Sequence, residues 1–206
     1  MQPKYELINS KPFMCVPCAI EMILKKNNIK EDFNQLDFLN YYELCLPNDK
    51  ELLDKLYNED EKYKKSTIIN SMNKTMIGLL ITDLNKYFKA ECVPLHEVFI
   101  SNNDILQLNY LTHFLILDSF FKSNYDIILF LNYKRLMGEE GYIGHCVVVN
   151  NIDYDNKIIS LIIPDVIGEN SKGTFEKEFS YNNVISAYST GIYACGISLI
   201  LKDKKE

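Results

Sequence analysis

Two cysteines stand three positions apart in the stretch PFMCVPCAIEMIL, which begins at Pro12. Apolar residues at helical spacing follow them, so Cys15 and Cys18 lie where a helix is predicted to begin. The dipole and the free N–H groups at the start of a helix lower the pKa of a thiol. The pair could therefore be a redox dithiol, half of a zinc site, or a catalytic nucleophile beside a second cysteine.

The neighbourhood of the pair weighs against the first two of these chemistries. A redox dithiol of the thioredoxin type follows a buried strand within a βαβ unit, whereas the polar segment 2–14 precedes this pair and helical patterns follow it. A zinc site needs a second pair of ligands. His145 and Cys146 are adjacent on a predicted strand, so their side chains are expected to point to opposite faces and not to share a metal. The other cysteines stand alone in the sequence: Cys45, Cys92 and Cys195.

A nucleophilic thiol needs a base close by and a third group that orients the base. The chain contains three histidines. His113 lies in an apolar helical run and is expected in the core, and His96 is expected on a short exposed strand. His145 follows the loop GEEGYIG and opens the apolar run HCVVV, so a loop delivers it to the edge of a buried strand. His145 is the candidate base, although residue chemistry alone leaves a structural role open.

The elements that must position these side chains change in type along the chain. Apolar residues at helical spacing predict a helix from Val16 to Asn28, and similar patterns continue through the first half, including part of 103–121. From Asp126 onward, β-branched runs predict strands at 126–131, 145–152, 157–164 and 192–201, a turn at 153–156 and a helix at 181–189. The predicted fold class is α+β, with a helical N-terminal half packed on a C-terminal, mainly antiparallel sheet. No linker or repeat divides the chain, so residues 1–206 are expected to form a single domain.

Composition limits the partners and the location that we expect. The net charge of -6 argues against a general nucleic-acid binder, which usually shows a basic face. The N-terminal stretch lacks the apolar core of a signal peptide, and no run approaches the ~18 apolar residues of a membrane span. The six cysteines are too scattered for a secreted disulfide scaffold. A cytoplasmic protein with reduced thiols is expected, and the sequence leaves the oligomeric state open.

Two blocks of the sequence resemble a known family. CVPCAIEMIL resembles the Cys-Gly-Pro-Ala…Met-Ile-Leu opening of the bacteriocin-processing, double-glycine-type peptidases, which belong to the papain-like cysteine peptidase superfamily. GYIGHCVVVNNIDYDNKIISLIIPD resembles the second block of that family, in which a glycine and a histidine start a Val-rich strand and a hairpin leads to an aspartate. GYIGH is also similar to the related plant-type guanylyl-cyclase-like domain. The resemblance extends from Asn9 to about Leu201, but only the two blocks are specific.

The resemblance implies a papain-like fold and acyl-transfer chemistry. Cys15 takes the position of the nucleophile, His145 that of the general base, and Asp165 that of the group that orients the imidazole. Asn9 takes the position of a glutamine that donates a hydrogen bond to the oxyanion. Cys15 is expected as a thiolate paired with protonated His145, and Cys18 as a buried bystander. The implied substrate is a peptide or an acyl compound, and the chemistry requires no cofactor.

Three departures from the family pattern leave alternatives open. Asn9 is one methylene shorter than glutamine, Val16 replaces a glycine, and the order Pro164–Asp165 reverses the usual Asp-Pro. Asn150 or Asp153 could take the orienting role if that aspartate does not reach the imidazole. The chain could hydrolyse a peptide bond, transfer an acyl group to another acceptor, or keep the fold only to bind a peptide or partner.

Overall fold

The structure, a computed structural model, combines helices with an antiparallel sheet. It describes residues 4–29, 34–40, 88–94, 117–168, 171–189 and 195–203, together with residues 51, 54, 55 and 58. The labelled elements are α1 (Cys15–Lys26), a 3-10 helix (Gln35–Asn40), β1 (Phe88–Pro94), β2 (Asp126–Asn132), α2 (Tyr133–Met137), β3 (Gly144–Asp153), β4 (Ile158–Ile163), β5 (Ile167–Gly168), β6 (Ser171–Lys172), β7 (Phe175–Ser180), α3 (Tyr181–Ser189) and β8 (Cys195–Asp203). A short helical segment at 117–122 precedes β2. The predicted α+β class is confirmed.

Within the described residues, six strands form the main sheet in the order β1-β8-β2-β3-β4-β7. Every neighbouring pair is antiparallel. The β3–β4 hairpin is stabilised by the Asp153 carboxylate, which accepts hydrogen bonds from the backbone and side-chain amides of Asn156 at 3.0 and 2.9 Å. The turn predicted at 153–156 is confirmed. β5 and β6 form a separate two-stranded ribbon.

Helices cover both faces of the sheet. α3 contacts β2, β4 and β7, whereas α1 contacts β3. Side chains alternate along a strand, so Val147 and Val149 of β3 join the core cluster that contains Val184 of α3. Cys146 and Val148 are also fully buried and point to the α1 side. β3 is therefore buried on both faces, which explains why its sequence is a continuous apolar run.

Helix α1 is a core helix. All residues from Val16 to Leu24 are buried, including the charged Glu21, whose carboxylate accepts a hydrogen bond from the Gln35 N–H at 2.8 Å. Lys25 pairs with the same carboxylate at 3.4 Å, so the buried charge has partners on two sides. The helix predicted from Val16 is confirmed, and it begins one residue earlier, at the cysteine.

The predicted division between a helical first half and a sheet-forming second half is only partly right. β1 lies in the first half and pairs with β8 along its whole length. Its sequence, FKAECVP, alternates apolar and polar residues over a short length, and a preceding helical pattern hides that signal. β7 was also not predicted, because its sequence FEKEFS carries the charges typical of an exposed sheet edge. The strand predicted at 192–201 is observed as β8.

Several predictions fall on residues that the structure does not describe. They concern the environments of His96, His113 and Cys45, the helical pattern at 103–116, and most of the helical pattern at 76–88, whose last residue, Phe88, belongs to β1. The helix predicted within 103–121 overlaps the described helical segment 117–122. In the described part of the chain, no helix combines the length and the apolar character that crossing a membrane requires.

A buried carboxylate holds the N-terminal segment and α1 against the sheet. Asp126, at the start of β2, is only 2% exposed. It accepts hydrogen bonds from the Tyr5 hydroxyl at 2.5 Å and the Asn27 amide at 2.9 Å. Lys26, the last residue of α1, forms an ion pair with the same carboxylate. Burial and the Asp126 charge raise the pKa of Tyr5, so its hydroxyl remains a donor.

Replacing Asp126 by Asn should lower the free energy of unfolding by about 3 kcal/mol, because the Lys26 ammonium loses its buried counter-ion. Urea denaturation followed by circular dichroism measures the change. Lys122→Ala is the matched control, because its ion pair with Asp118 at 2.8 Å is exposed on the lysine side and should contribute less than about 1 kcal/mol. Equal effects of the two substitutions would contradict the role assigned to the buried pair.

Candidate functional site

A tight turn places Cys15 at the first position of α1. The turn runs from Lys11 to Met14 and is closed by a hydrogen bond from the Met14 N–H to the Lys11 carbonyl at 3.0 Å. Pro12 and Phe13 occupy its centre, and Phe13 has a φ of 60°, a combination typical of a type II turn. A bulky side chain rarely adopts this left-handed conformation. The turn therefore strains Phe13, which is 47% exposed.

The Cys15 thiol lies among backbone N–H groups. Those of Cys15 and Val16 belong to the first turn of α1, where N–H groups have no intrahelical acceptor. Pro17 fits the same turn because it has no N–H to satisfy. Together with the N–H of Cys146 on β3, the two groups lower the pKa of Cys15, but burial outweighs them and the pKa is raised.

Two neighbours fix the imidazole of His145, which pairs with Leu131 of β2 near the start of β3. One ring nitrogen donates a hydrogen bond to the Pro164 carbonyl, and the Tyr133 ring packs edge-on against the imidazole with 5.2 Å between ring centroids. Burial lowers the pKa of His145, while the Pro164 carbonyl and the Asp165 charge act in the opposite direction. In the neutral state, the second ring nitrogen carries the lone pair that can accept a proton.

A cavity of about 510 Å³ contains both Cys15 and His145 in its wall. Four segments build it: the turn before α1, the first turn of α1, the loop before β3, and the chain after β4. Asp165 lines the same cavity, and most of the other lining side chains are apolar, including Phe13 and Ile143. The fold thus brings the predicted nucleophile, base and orienting residue to one opening.

Burial of Cys15 and His145 favours an uncharged thiol and imidazole over a thiolate paired with an imidazolium. Loss of solvent is the largest cause of the raised pKa of Cys15 and of the lowered pKa of His145. The sequence predicted a thiolate beside an imidazolium. The directions of the two pKa shifts run against that ion pair and favour the uncharged thiol and imidazole.

Asp165 lies beside the site, but its carboxylate is engaged with its own loop. It accepts hydrogen bonds from the Ser171 hydroxyl at 2.7 Å and from the Val166 N–H at 2.8 Å. Its effect on His145 is electrostatic, whereas the imidazole donates its hydrogen bond to the Pro164 carbonyl. The reversed Pro-Asp order thus puts a backbone carbonyl in the orienting position expected for a carboxylate.

Asn9 lies outside the cavity wall. Its side-chain oxygen accepts a hydrogen bond from the Thr174 N–H at 3.0 Å, and its backbone carbonyl accepts one from the Gln35 amide at 2.9 Å. Gly173 makes this contact possible, because a Cβ there would lie 2.1 Å from the Asn9 oxygen. The structure therefore ties the side-chain oxygen of Asn9 to the loop before β7, and the role of its amide NH2 as an oxyanion donor stays a prediction.

The two alternative orienting residues are engaged elsewhere on the sheet. The Asn150 amide donates to Glu176 at 2.6 Å, and its oxygen accepts from the Lys4 N–H at 2.7 Å. Asp153 stabilises the turn between β3 and β4. Neither residue belongs to the cavity wall, so neither takes the place of Asp165.

Cys18 is buried beneath the site. Its thiol donates a hydrogen bond to the Ile8 carbonyl at 3.2 Å, and burial raises its pKa to about 12. Among the side chains that the structure describes, those of Cys15, Cys18 and Cys146 form no disulfide. Across the described residues, no group of three His, Cys, Asp or Glu side chains is arranged to hold a metal ion.

Comparisons with known proteins find no counterpart. No family model matches the chain, and neither curated proteins nor solved structures give a match. The family resemblance of the two sequence blocks therefore stays a prediction, and the geometry around Cys15 carries the functional argument.

Sequence reasoning missed the groups that hold the imidazole. Tyr133 opens α2, and its N–H donates to the Ile143 carbonyl at 2.7 Å, which ties α2 to the loop before His145. No local pattern reveals this contact, because it depends on the pairing of β2 with β3. The role of the Pro164 carbonyl is equally hidden, since every residue carries a carbonyl.

Asp165→Asn should lower the pKa of His145 further, because the Asp165 charge opposes the effect of burial. The imidazole resonances in a pH titration followed by NMR measure this shift, and His145→Gln assigns them. Asp153→Asn removes an exposed charge at the β3–β4 turn and should leave the titration unchanged. An unchanged His145 titration in Asp165→Asn would contradict the electrostatic role given to that carboxylate.

Proposed function

We propose that the chain is a cysteine-nucleophile acyl-transfer enzyme of the papain-like type, acting as a peptidase. The observation that carries the proposal is that Cys15, at a helix N-terminus, and His145, at the start of a buried strand, line one cavity. A thiol, a base and an orienting acceptor in one cavity are the parts that nucleophilic catalysis needs. The two sequence blocks that resemble the bacteriocin-processing peptidases contain these same residues.

In the proposed reaction the Cys15 sulfur attacks a substrate carbonyl while its proton passes to His145. The Pro164 carbonyl keeps the opposite ring nitrogen protonated and stabilises the imidazolium as it forms, aided by the Asp165 charge. His145 then gives the proton to the leaving amine, and a thioester remains on Cys15. Water releases the acid in a peptidase, whereas an alcohol, amine or thiol acceptor would make the enzyme an acyltransferase.

Backbone N–H groups are the proposed oxyanion donors. Those of Cys15 and Val16 lie at the start of α1 and already favour negative charge on the sulfur. One such donor typically contributes about 3 kcal/mol to stabilisation of the transition state. The amide NH2 predicted as a donor at Asn9 would act in addition to these N–H groups, because the bond to Thr174 uses only the Asn9 oxygen.

The contacts of Asn9 and Asp165 favour a second candidate function, a non-catalytic module that binds a peptide. The Asn9 oxygen accepts from the Thr174 N–H and the Asp165 carboxylate from the Ser171 hydroxyl, so both side chains have partners away from the thiol. Phe13 and Ile143, 47% and 46% exposed, offer apolar contacts at the cavity mouth. The reactivity of the thiol distinguishes the two functions.

As the pH is raised, the alkylation rate of Cys15 by iodoacetamide should become constant before pH 7 is reached. The rate for an ordinary thiol with a pKa of about 8.5 is still low at that pH. The rate should fall only as the pH drops through the lowered pKa of His145, because the neutral imidazole takes the thiol proton. His145→Ala should slow alkylation at pH 7 by about 100-fold. The alkylation is stopped at set times, and fragmentation of the peptides in a mass spectrometer shows which cysteine is modified.

Cys18→Ser is the matched control for this experiment. Serine keeps a donor for the Ile8 carbonyl, and Cys18 is fully buried, so the alkylation profile should not change. A Cys15 that titrates like a free thiol, or a His145→Ala variant that reacts at the wild-type rate, would rule out the catalytic pair and leave the binding module.

The apolar mouth should favour reagents with an apolar tail. N-hexyl iodoacetamide should alkylate Cys15 faster than iodoacetamide does, relative to a free thiol in solution. Phe13→Asn and Ile143→Ser should each reduce that preference by about fivefold, since burying part of an apolar side chain contributes about 1 kcal/mol. Asparagine suits the left-handed position, so the turn is preserved. A preference that neither substitution changes would show that the mouth does not contact the tail.

A further inference from the structure

We propose that Cys15 and Cys18 are a reversible dithiol–disulfide pair that low-molecular-weight disulfides oxidise. In the oxidised form the Cys15 sulfur is bonded to Cys18 and cannot react with a molecule in the cavity. The proposal rests on the position of the two thiols at the start of α1, on the cavity that exposes only the first of them, and on the contacts of the second. It goes beyond acyl transfer, because the disulfide forms whether or not the chain transfers acyl groups.

Helix geometry brings the two cysteines within bonding range. Cys15 is the first residue of α1, and Cys18 lies one turn further along the same helix. With a rise of about 1.5 Å per residue and a radius of about 2.3 Å, residues three apart have Cα atoms about 5 Å from each other. This is within the range of roughly 4.4–6.8 Å found for disulfides. Residues at this spacing also share one face of the helix.

The two thiols differ in access. Cys15 lines the cavity, whereas Cys18 is fully buried and outside its wall. A small disulfide entering the cavity therefore meets Cys15 first, and Cys18 is positioned to react only with a sulfur already bound to Cys15. This order of access is what a two-cysteine exchange requires.

Cys18 can turn toward Cys15 without leaving a buried acceptor unsatisfied. Its thiol donates to the Ile8 carbonyl at 3.2 Å. The Thr174 hydroxyl donates to the same carbonyl at 2.5 Å. When the Cys18 sulfur leaves, the Thr174 bond remains, so the cost of an unpaired buried carbonyl is avoided.

The reaction is a pair of thiol–disulfide exchanges. The Cys15 sulfur, losing its proton, attacks one sulfur of oxidised glutathione, and one glutathione thiol leaves with a mixed disulfide on Cys15. The Cys18 sulfur then attacks the Cys15 sulfur, the second glutathione thiol leaves, and a Cys15–Cys18 bond forms. The protein loses two hydrogen atoms, which are two protons and two electrons, and one oxidised glutathione becomes two reduced ones.

Burial keeps both thiols protonated in the reduced protein, because it raises the pKa of Cys15 and of Cys18. A disulfide becomes a strong oxidant when its reduced form is stabilised as a thiolate, and that stabilisation is missing here. The disulfide also blocks the Cys15 sulfur that would attack a substrate, and reduction by reduced glutathione restores the Cys15 thiol.

The test is equilibration of the full chain with glutathione buffers of increasing oxidised fraction, followed by acid quenching, alkylation and tryptic mass mapping. Trypsin does not cut between Lys11 and Pro12, so Cys15 and Cys18 fall in one peptide, residues 5–25. Wild-type protein should yield this peptide with two hydrogen atoms fewer and no alkyl groups. Cys18→Ser should instead accumulate the mixed disulfide of Cys15 with glutathione, and Cys146→Ala should behave like the wild type.

Three results would overturn the proposal. The first is a wild-type protein that stays reduced, and the second is a wild-type protein that accumulates the mixed disulfide as much as Cys18→Ser does. The third is a cross-link between peptides 5–25 and 136–157, which would assign Cys146 as the partner. Adding reduced glutathione must return the alkylation of Cys15 to its starting level. Because peptide masses are the readout, failure of this proposal is distinguishable from failure of the acyl-transfer proposal, which His145→Ala tests.

Discussion

The buried carboxylate of Asp126 sits where three parts of the chain meet, and the placement of α1 on the sheet depends on it. Tyr5 from the N-terminal segment and Lys26 and Asn27 from the end of α1 all bind it. A desolvated charge tolerates only a small range of partner positions, since misplacing a donor leaves the charge uncompensated. With its C-terminal end fixed in this way, α1 directs its first residue toward the start of β3, and the candidate site lies there.

The same burial that stabilises α1 sets the chemistry of the site. A helix N-terminus favours a thiolate, yet at Cys15 the loss of solvent outweighs three N–H groups, and at His145 it outweighs the Asp165 charge. Under the proposed mechanism the thiol proton would pass to the imidazole during the reaction. The groups beside the imidazole are the Pro164 carbonyl and the Tyr133 ring.

In the loop after β4, the Pro164 carbonyl and the Asp165 carboxylate have different partners. Pro164 precedes Asp165, and the carboxylate bonds to Ser171 while the carbonyl before it accepts from the imidazole. The Asp165 backbone carbonyl also accepts from the Ser10 N–H at 2.9 Å, which joins this loop to the segment before Cys15. Asp165 therefore holds two walls of the cavity together, and its charge contributes to the electrostatic potential in the cavity.

The sequence by itself determined the elements whose pattern is local and the residue types that can react. α1, β2, β3, β4 and α3 follow from apolar periodicity and β-branched runs, whereas the pairing of Cys15 with His145 is what the family resemblance implies. Only the tertiary structure decided which groups meet: the Asn9 oxygen accepts from the Thr174 N–H, and both the Pro164 carbonyl and the Asp165 charge act on the His145 imidazole. β1 and β7 became strands through pairing with β8 and β4. The physical reason is that periodicity records burial of one face, whereas hydrogen-bond partners depend on distances between segments far apart in the chain.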